Sequence, residues 1–346
     1  MIVKKIAILQ GFPDLHILKN FLSSGEKTEK FTPVFYDIET TGLSRYSTFL
    51  YLIGAVKYEE EGWYLYQWMA EKEEEEPLLL NTFSDFLKGC THTIQYNGDR
   101  FDQPYLEARY AVHNIISPFS DIPSTDLYQT LKPLSPLLKL AGTKQKDMEA
   151  FLGREKRSHC SGKECIRIYQ SYLRQNTEKE AQTLLGHNQE DLIGLGSLIP
   201  MLGYLSLYQG NYSLQSLHCE EGQIFPVLTL PFSLPRPISN GNKEFYLTAA
   251  EKEARLSIPM KDGKLRLYYE NYKDYAYLSA EDTAISKSLS AFMDKKLYVP
   301  AKPETCYTWF SCSEEFLSNP VRQEQYIHRA LPRLLASLKT QTAKTK

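Results

Sequence analysis

What most constrains this chain is an alternation. Between residues 31 and 112, apolar strand-like runs and helix-spaced runs follow one another. "PVFYDIETTG" (33–42) reads as a buried strand that stops at a glycine turn. "FLYLIGAVKYEEEGWYLYQWMAE" (49–71) reads as a hairpin, two strands joined by a charged turn at Gly62. "PLLLNTFSDFLKG" has helical spacing and a stop at Gly89. "HTIQYNG" is a short strand, and "DRFDQPYLEARYAV" a helix with Pro104 inside its first turn. Strands that alternate with helices predict an α/β domain around a central sheet. The acidic run Glu71 to Glu76 reads as a solvated loop.

Residues 126–204 turn helical. Thr177 and Glu180 form a capping-box pattern. "HNQEDLIGLGSLIPMLGYL" reads as a long final helix with Asn188 as its N-cap. The character then changes. "PVLTLPFSLPRP" (226–237) carries four prolines and reads as a linker or edge segment. "ARLSIPMKDGKLRLYYENY" reads as a hairpin around Asp262-Gly263. "LSAEDTAISKSLSAFM" reads as a capped helix from Ser279. The expected organisation is an N-terminal arm over 1–30, with a short amphipathic helix at "DLHILKNFLSS". An α/β domain follows over 31–204, then a smaller α+β unit of unnamed role over 205–346, with a disordered tail "KTQTAKTK".

At 346 residues the chain has room for two domains. A net charge of −2 speaks neither for nor against nucleic acid, because the distribution of charge matters more than its sum. Six cysteines without regular spacing do not form a disulfide framework, which points to a reducing, cytoplasmic setting. The start, "MIVKKIAILQGFPDL", does not read as a signal peptide. The longest unbroken apolar run, "FLYLIGAV", is too short to span a bilayer, so no membrane is expected.

The chemistry starts at Asp37 and Glu39. Residues i and i+2 of a strand point to one face, so the two carboxylates lie side by side. Like charges that close raise each other's pKa unless something neutralises them. A hard divalent cation is the usual neutraliser; the bland alternative is a solvated strand end. Asp102, just before a helix, is a third acid or simply an N-cap. His187 and Asp191 lie four apart, on one helix face, as further ligands or as a surface pair. Each feature alone is weak, and their joint occurrence at strand and helix starts is much harder to reach by accident.

Taken in order, these stretches resemble the DEDD superfamily of 3′–5′ exonucleases. "DIETTG" is similar to its first motif, "NGDRFD" to its second and "HNQED" to its third. Within that superfamily the chain resembles the YprB-like branch. There "DIETTGL…FLYLIG", "YNG…FDxPYL" and "HNxxDL" recur in this order, with "DMEAFLGREKR…SG" between the last two. The resemblance spans roughly residues 31–204. It implies a ribonuclease H-like fold, a mixed central sheet flanked by helices. It implies that Asp37, Glu39, Asp102 and Asp191 hold two divalent cations, Mg²⁺ or Mn²⁺, and that His187 takes the proton of the attacking water. Thr40, Thr41, Gly42 and Leu43 would meet the terminal nucleotide, with Gly42 admitting close backbone approach, and Asn97 would join them on the substrate side. His187 lies four residues before Asp191, where the His-type pattern has five.

The activity so implied is exonucleolytic hydrolysis at single-stranded DNA or RNA ends. A non-catalytic nucleic-acid-binding module and a structure-specific endonuclease are the alternatives. Asp126 reads as an acid that supports the site or the fold. The stretch 139–174 holds nine Lys or Arg against four acids, which suits a phosphate backbone or a mixed helical surface. Tyr268, Tyr269, Tyr272, Tyr275 and Tyr277 either stack on bases or cover a sheet. His159, Cys160 and Cys165 lack a fourth ligand for zinc.

Overall fold

The computed structural model describes residues 1–22, 30–60, 62–154 and 160–342. In chain order the first elements are β1 (Ile2–Ile8), α1 (Leu15–Leu22), β2 (Pro33–Thr40), β3 (Leu50–Glu59) and β4 (Gly62–Met69). Next come α2 (Glu76–Phe86), β5 (His92–Gln95), α3 (Asp102–Val112), β6 (Ser124–Asp126) and α4 (Leu127–Leu131). After α5 (Ser135–Leu138) follow α6 (Gln145–Phe151), α7 (Gly162–Gln175) and α8 (Glu178–Ser197). The chain divides into two units: residues 1–133 with 140–202, and residues 134–139 with 203 onward.

The first unit is built on one six-stranded sheet in the order β1-β4-β3-β2-β5-β6. β1 to β4 pair antiparallel, whereas β5 and β6 run parallel to β2. The expected hairpin is β3–β4, closed at Glu59 opposite Gly62. Alternation turns one face of β2 into a core. Val34, Tyr36 and Ile38 pack with Leu79, Leu80 and Phe83 of α2 and Tyr105, Leu106 and Tyr110 of α3. A second core joins Tyr51, Leu52 and Met69 to Tyr169 and Tyr172 of α7 and Leu184 and Leu185 of α8. Tyr51 and Tyr169 stack with ring centroids 4.0 Å apart. Covered on both faces, β3 is buried from Leu50 through Val56, which is why it reads as an unbroken apolar run. Each large side chain fully buried this way contributes about 1.5–3 kcal/mol.

The expected N-terminal arm differs. Residues 2–8 are an edge strand that pairs along its whole length with β4. Phe12 packs edge-on against Phe35, and Trp63 Nε1 donates to the Pro13 carbonyl at 2.9 Å. A seven-residue edge strand carries only a faint alternation of half-buried and exposed positions, too short to stand out. The amphipathic helix is α1; Ser23 and Ser24 lie outside the described residues. The acidic run is not all solvated: Glu76 is buried at the start of α2.

The second unit adds α9 (Leu205–Gln209), β7 (Ser213–Glu220), β8 (Gln223–Gly241), β9 (Tyr246–Pro259), β10 (Lys264–Tyr268) and β11 (Tyr275–Leu278). It continues with β12 (Thr283–Ser286), α10 (Lys287–Ser290), β13 (Val299–Pro300), β14 (Tyr307–Ser311), α11 (Glu314–Leu317) and α12 (Pro320–Thr342). Its strands form three small sheets, β7-β8-β9, β10-β14 and β12-β11-β13.

Three expectations change here. The proline-rich segment is a long strand, β8. Its pairing with β7 stops at Thr229, so Pro231, Pro235 and Pro237 fall on an open edge, where a missing N–H costs little, and the β9 register shifts around them. Asp262 and Gly263 do make a turn with positive φ, but β9 pairs with β8 while β10 pairs with β14. The turn is local; the partners of its flanks are not. The helix expected from Ser279 is strand β12 followed by the one-turn α10, which Ser286 caps.

The stretch Glu178–Gln209 contains a window of mean hydropathy 1.3, of which 67 % is buried inside the protein, as a core helix requires.

Candidate active site

Strand β2 ends in a register that sets Asp37 opposite Gly54 and Glu39 opposite Leu52, followed by a shift before Thr40. Its pairing with β5 ends at Phe35. Beyond that point the Ile38 amide donates to Asp102 Oδ1 at 3.3 Å. Asp102 is the first residue of α3, whose N-cap is Phe101. The bland reading of Asp102 as a helix cap therefore gives way: its carboxylate ties the helix start to the strand that carries Asp37 and Glu39.

Helix α8 starts earlier than expected. Thr177 is its N-cap and accepts from the Glu180 amide, so His187, Asn188 and Asp191 lie in mid-helix. Asn188 is not a cap. It is fully buried, and its Nδ2 donates to Asp37 Oδ2 at 3.0 Å. His187 and Asp191, one turn apart, face the strand end. His187 Nε2 is 3.4 Å from Glu39 Oε1 and 3.4 Å from Asp191 Oδ2. One ligand atom each from Glu39, His187 and Asp191 fall within 4.8 Å of one another. Gln145 of α6 donates to the Asp191 carbonyl at 2.7 Å.

The electrostatics follow from burial and crowding. Burial pushes the Glu39 carboxyl well above the usual range, and the charges of Asp37 and Asp102 push it further. Asp102 is raised in the same way, by burial first and then by Asp37, against the pull of the Ile38 amide. These donors are hard carboxylate oxygens with one imidazole. Such a set fits a divalent cation, which would relieve the repulsion that raises the two pKa values.

On the expected substrate side, the turn after β2 is tightly braced. Thr40 Oγ1 donates to the Gly42 carbonyl at 2.9 Å, and the Thr41 amide to the Phe49 carbonyl at 3.0 Å. A Cβ on Gly42 would meet Thr48 Cγ2 at 2.8 Å, so the close approach at this glycine is made by Thr48 of the same turn. Leu43 is left 85 % exposed. Asn97 follows β5 with a φ of 62°, and its amide donates to Asp126 Oδ1 at 2.7 Å. Asp126 also caps α4 through the Tyr128 amide at 2.9 Å, and burial raises its carboxyl. Both bonds are to backbone amides, and they shape the loop that carries Asn97.

Other candidates divide. Within the basic stretch, Lys144, Lys146, Lys163, Arg167 and Arg174 are exposed, and Lys139 belongs to the second unit. Lys156, Arg157 and His159 lie outside the described residues. Cys160 and Cys165 approach to 3.1 Å between sulfurs, and all six cysteines are free. The tyrosines of the second unit cover their own sheet. Tyr268 is buried, Tyr269 stacks on Tyr275 at 4.3 Å, and Tyr277 donates to Asp282 at 2.7 Å.

The family model of the RNase_H superfamily matches residues 34–202. The fold of this part of the chain is ribonuclease H-like. The match contains β2 to β6 and helix α8, and with them every acid of the cluster. No curated protein matches the chain. Among solved structures, a family B DNA polymerase from the hyperthermophilic archaeon Pyrobaculum calidifontis is similar at 17 % identity and a TM-score of 0.43. That likeness covers 53 % of this chain and 26 % of the polymerase. A complex described as ExoI/SSB-Ct is similar at 11 % identity and a TM-score of 0.35, over 88 % of this chain and 74 % of that one. An exonuclease I structure, described as suggesting how processivity is achieved, has the same identity and score over 91 % and 71 %. Likenesses this remote assign no activity.

Sequence reasoning missed the residues that surround Asp37. Asn188 was expected to cap a helix, and Gln67 and Gly54 carried no expectation at all. One signal was present: a glycine inside the apolar strand "LYLIGAV" marks a place where something approaches closely.

Proposed function

We propose that the ribonuclease H-like domain is a divalent-cation-dependent nuclease, a 3′–5′ exonuclease of DEDD type acting on single-stranded DNA or RNA ends in a reducing, cytoplasmic setting. The motif order favours the YprB-like branch. The observation that carries the reading is the meeting of Asp37, Glu39, Asp102, His187 and Asp191, drawn from three separate elements. Asp37, Glu39, Asp102 and Asp191 are the residues that would hold two cations, Mg²⁺ or Mn²⁺. The chemistry such a pair supplies when bound is charge neutralisation at the attacking and leaving oxygens of an in-line phosphoryl displacement.

The remaining work falls to the chain itself. His187 Nε2 faces the acids and accepts the proton of the attacking water, a task neutral imidazole suits near pH 7. Its four-residue spacing from Asp191 is that of one helical turn, which keeps both side chains on the face turned to Glu39. Thr40 and Thr41 brace the turn, and the exposed Leu43 offers an apolar surface to the terminal nucleotide. Asn97, on the loop after β5, completes the substrate side.

The test uses 3′- and 5′-labelled single-stranded oligonucleotides with Mg²⁺, Mn²⁺ or EDTA. The expected result is mononucleotide release with either cation, none with EDTA, and none from Asp37→Ala. Internal fragments would redirect the reading to an endonuclease. Tight binding without turnover would redirect it to a binding module. Identical behaviour of wild type and Asp37→Ala under all three conditions would overturn it.

A further inference from the structure

We infer that Asn188, braced by Gln67, is a positioning residue that fixes the orientation of the Asp37 carboxylate for cation binding. The inference rests on the cation-dependent reading above and extends it to residues outside the acid cluster. It starts from a row across three strands. In the sheet register Asp37 of β2 lies opposite Gly54 of β3, and Gly54 lies opposite Gln67 of β4. The middle position has no side chain. Asn188 descends from α8 into the slot so formed. A Cβ on Gly54 would stand 1.9 Å from Asn188 Oδ1 and 2.6 Å from Leu192 Cδ1, so the slot exists only because residue 54 is glycine.

From that slot Asn188 reaches both neighbours. Its Nδ2 donates to Asp37 Oδ2 at 3.0 Å and lies 3.4 Å from the Asp37 carbonyl. Its Oδ1 accepts from Gln67 Nε2 at 2.9 Å. Gln67 Nε2 also donates to the Leu185 carbonyl at 2.8 Å. The order of donors along this chain is set from one end. A backbone carbonyl can only accept, so the Leu185 carbonyl requires the amino side of Gln67 to face it. That amino group then meets the oxygen of Asn188, and the amino side of Asn188 is left to face Asp37. Reversing any amide would set oxygen against oxygen. Asn188 and Gln67 are both buried without measurable exposure, so water does not compete for these bonds.

The consequence is directional. An Asp carboxylate rotates broadly about its last torsion. With Oδ2 and the main-chain carbonyl both engaged by one amide, Asp37 is held in one orientation before a cation arrives. Residues that orient ligating side chains typically change metal affinity or activity about 10–100-fold when removed.

The experiment measures Mn²⁺ binding by electron paramagnetic resonance of the free ion, with no nucleic acid present. Wild type is compared with Asn188→Leu, which fills the slot without hydrogen bonds, with Asn188→Ala, and with Gln67→Met. Folding is checked by circular dichroism and thermal midpoint. Asn188→Leu and Asn188→Ala are expected to weaken Mn²⁺ binding about 10–100-fold. Gln67→Met, which keeps the Asn188–Asp37 bond but removes its brace, should lose less. In nuclease assays the cation concentration for half-maximal rate should rise more than kcat falls. Should the position 188 variants not fold, Gln67→Met carries the test alone, and unchanged Mn²⁺ affinity in it overturns the inference. Unchanged affinity in folded Asn188→Leu also overturns it, while leaving the cation-dependent reading intact. A wild-type protein that binds no Mn²⁺ overturns that reading itself, and this inference with it.

Discussion

The ribonuclease H-like domain buries two groups of acids and treats them in opposite ways. Glu76, at the start of α2, accepts from Arg109 Nε at 2.7 Å and Nη2 at 2.5 Å, and from the Leu50 amide at 2.8 Å; His113 Nε2 is 2.8 Å away. A buried carboxylate with a bidentate guanidinium and a backbone donor has its charge answered from within the fold. Asp102 is buried and Glu39 largely so, yet after burial the strongest influence on each is the negative charge of Asp37. Under the proposed function, the difference is that between an acid that holds elements together and acids gathered for chemistry. On the proposed reading, a cation from solution supplies to the second group what Arg109 supplies to the first.

The comparison breaks most sharply at Glu76. Glu76→Ala strands a buried Arg109 and is expected to cost about 3–5 kcal/mol of stability, read by urea denaturation. A loss under about 1 kcal/mol would show that this pair does not brace the fold. Asp37→Asn should do the reverse. It keeps the side-chain shape, removes a repelling charge, and should leave the cation-free thermal midpoint unchanged or higher. Nuclease activity should still fall at least ~10²–10³-fold, as when one preorganised electrostatic group is lost. A lower midpoint with activity retained would reverse the assignment of the two acid groups.

Adding Mn²⁺ at about a hundred times its dissociation constant should stabilise the wild type by about 2.7 kcal/mol and Asp37→Asn by clearly less. Equal shifts in differential scanning fluorimetry would mean the ion binds elsewhere. The smallest stability effect is expected at Leu43. Leu43→Ala removes an exposed side chain and should change stability by less than about 0.5 kcal/mol. Its KM for a single-stranded oligonucleotide should nevertheless rise several-fold, and an unchanged KM would remove Leu43 from the substrate surface.

Glu71 to Glu76 show how far the sequence could be read. As a run of acids they suggest solvent, and nothing local reveals that Arg109, 33 positions on, will meet the last of them. The same limit hid β1, whose partner β4 lies across the hairpin, and the turn at Asp262-Gly263, whose flanking strands belong to different sheets. Asp37, Glu39, Asp102, His187 and Asp191 were legible as candidates because each carries a short-range signal (an i, i+2 pair on a strand, an acid at a helix start, an i, i+4 pair on a helix), weak alone and given weight by the order of the three stretches. Asn188 is a poor cap candidate because "HNQED" lies inside a helix that begins earlier, at Glu178. The true cap, Thr177, lay in plain view with Glu180, but one continuous helix joining the two stretches could not be told from two helices.

By itself, then, the sequence determined the kinds of groups available and their local facing, because strand and helix periodicities set which neighbours along the chain share a side. Only the tertiary structure decided which of those faces meet. Asn188 is 151 positions from Asp37 and 121 from Gln67, and the three are joined solely by sheet register, a missing side chain at Gly54 and the seating of α8. Contacts of that kind depend on packing between distant segments; the glycine at position 54 marks a close approach in the sequence but does not say which residue approaches.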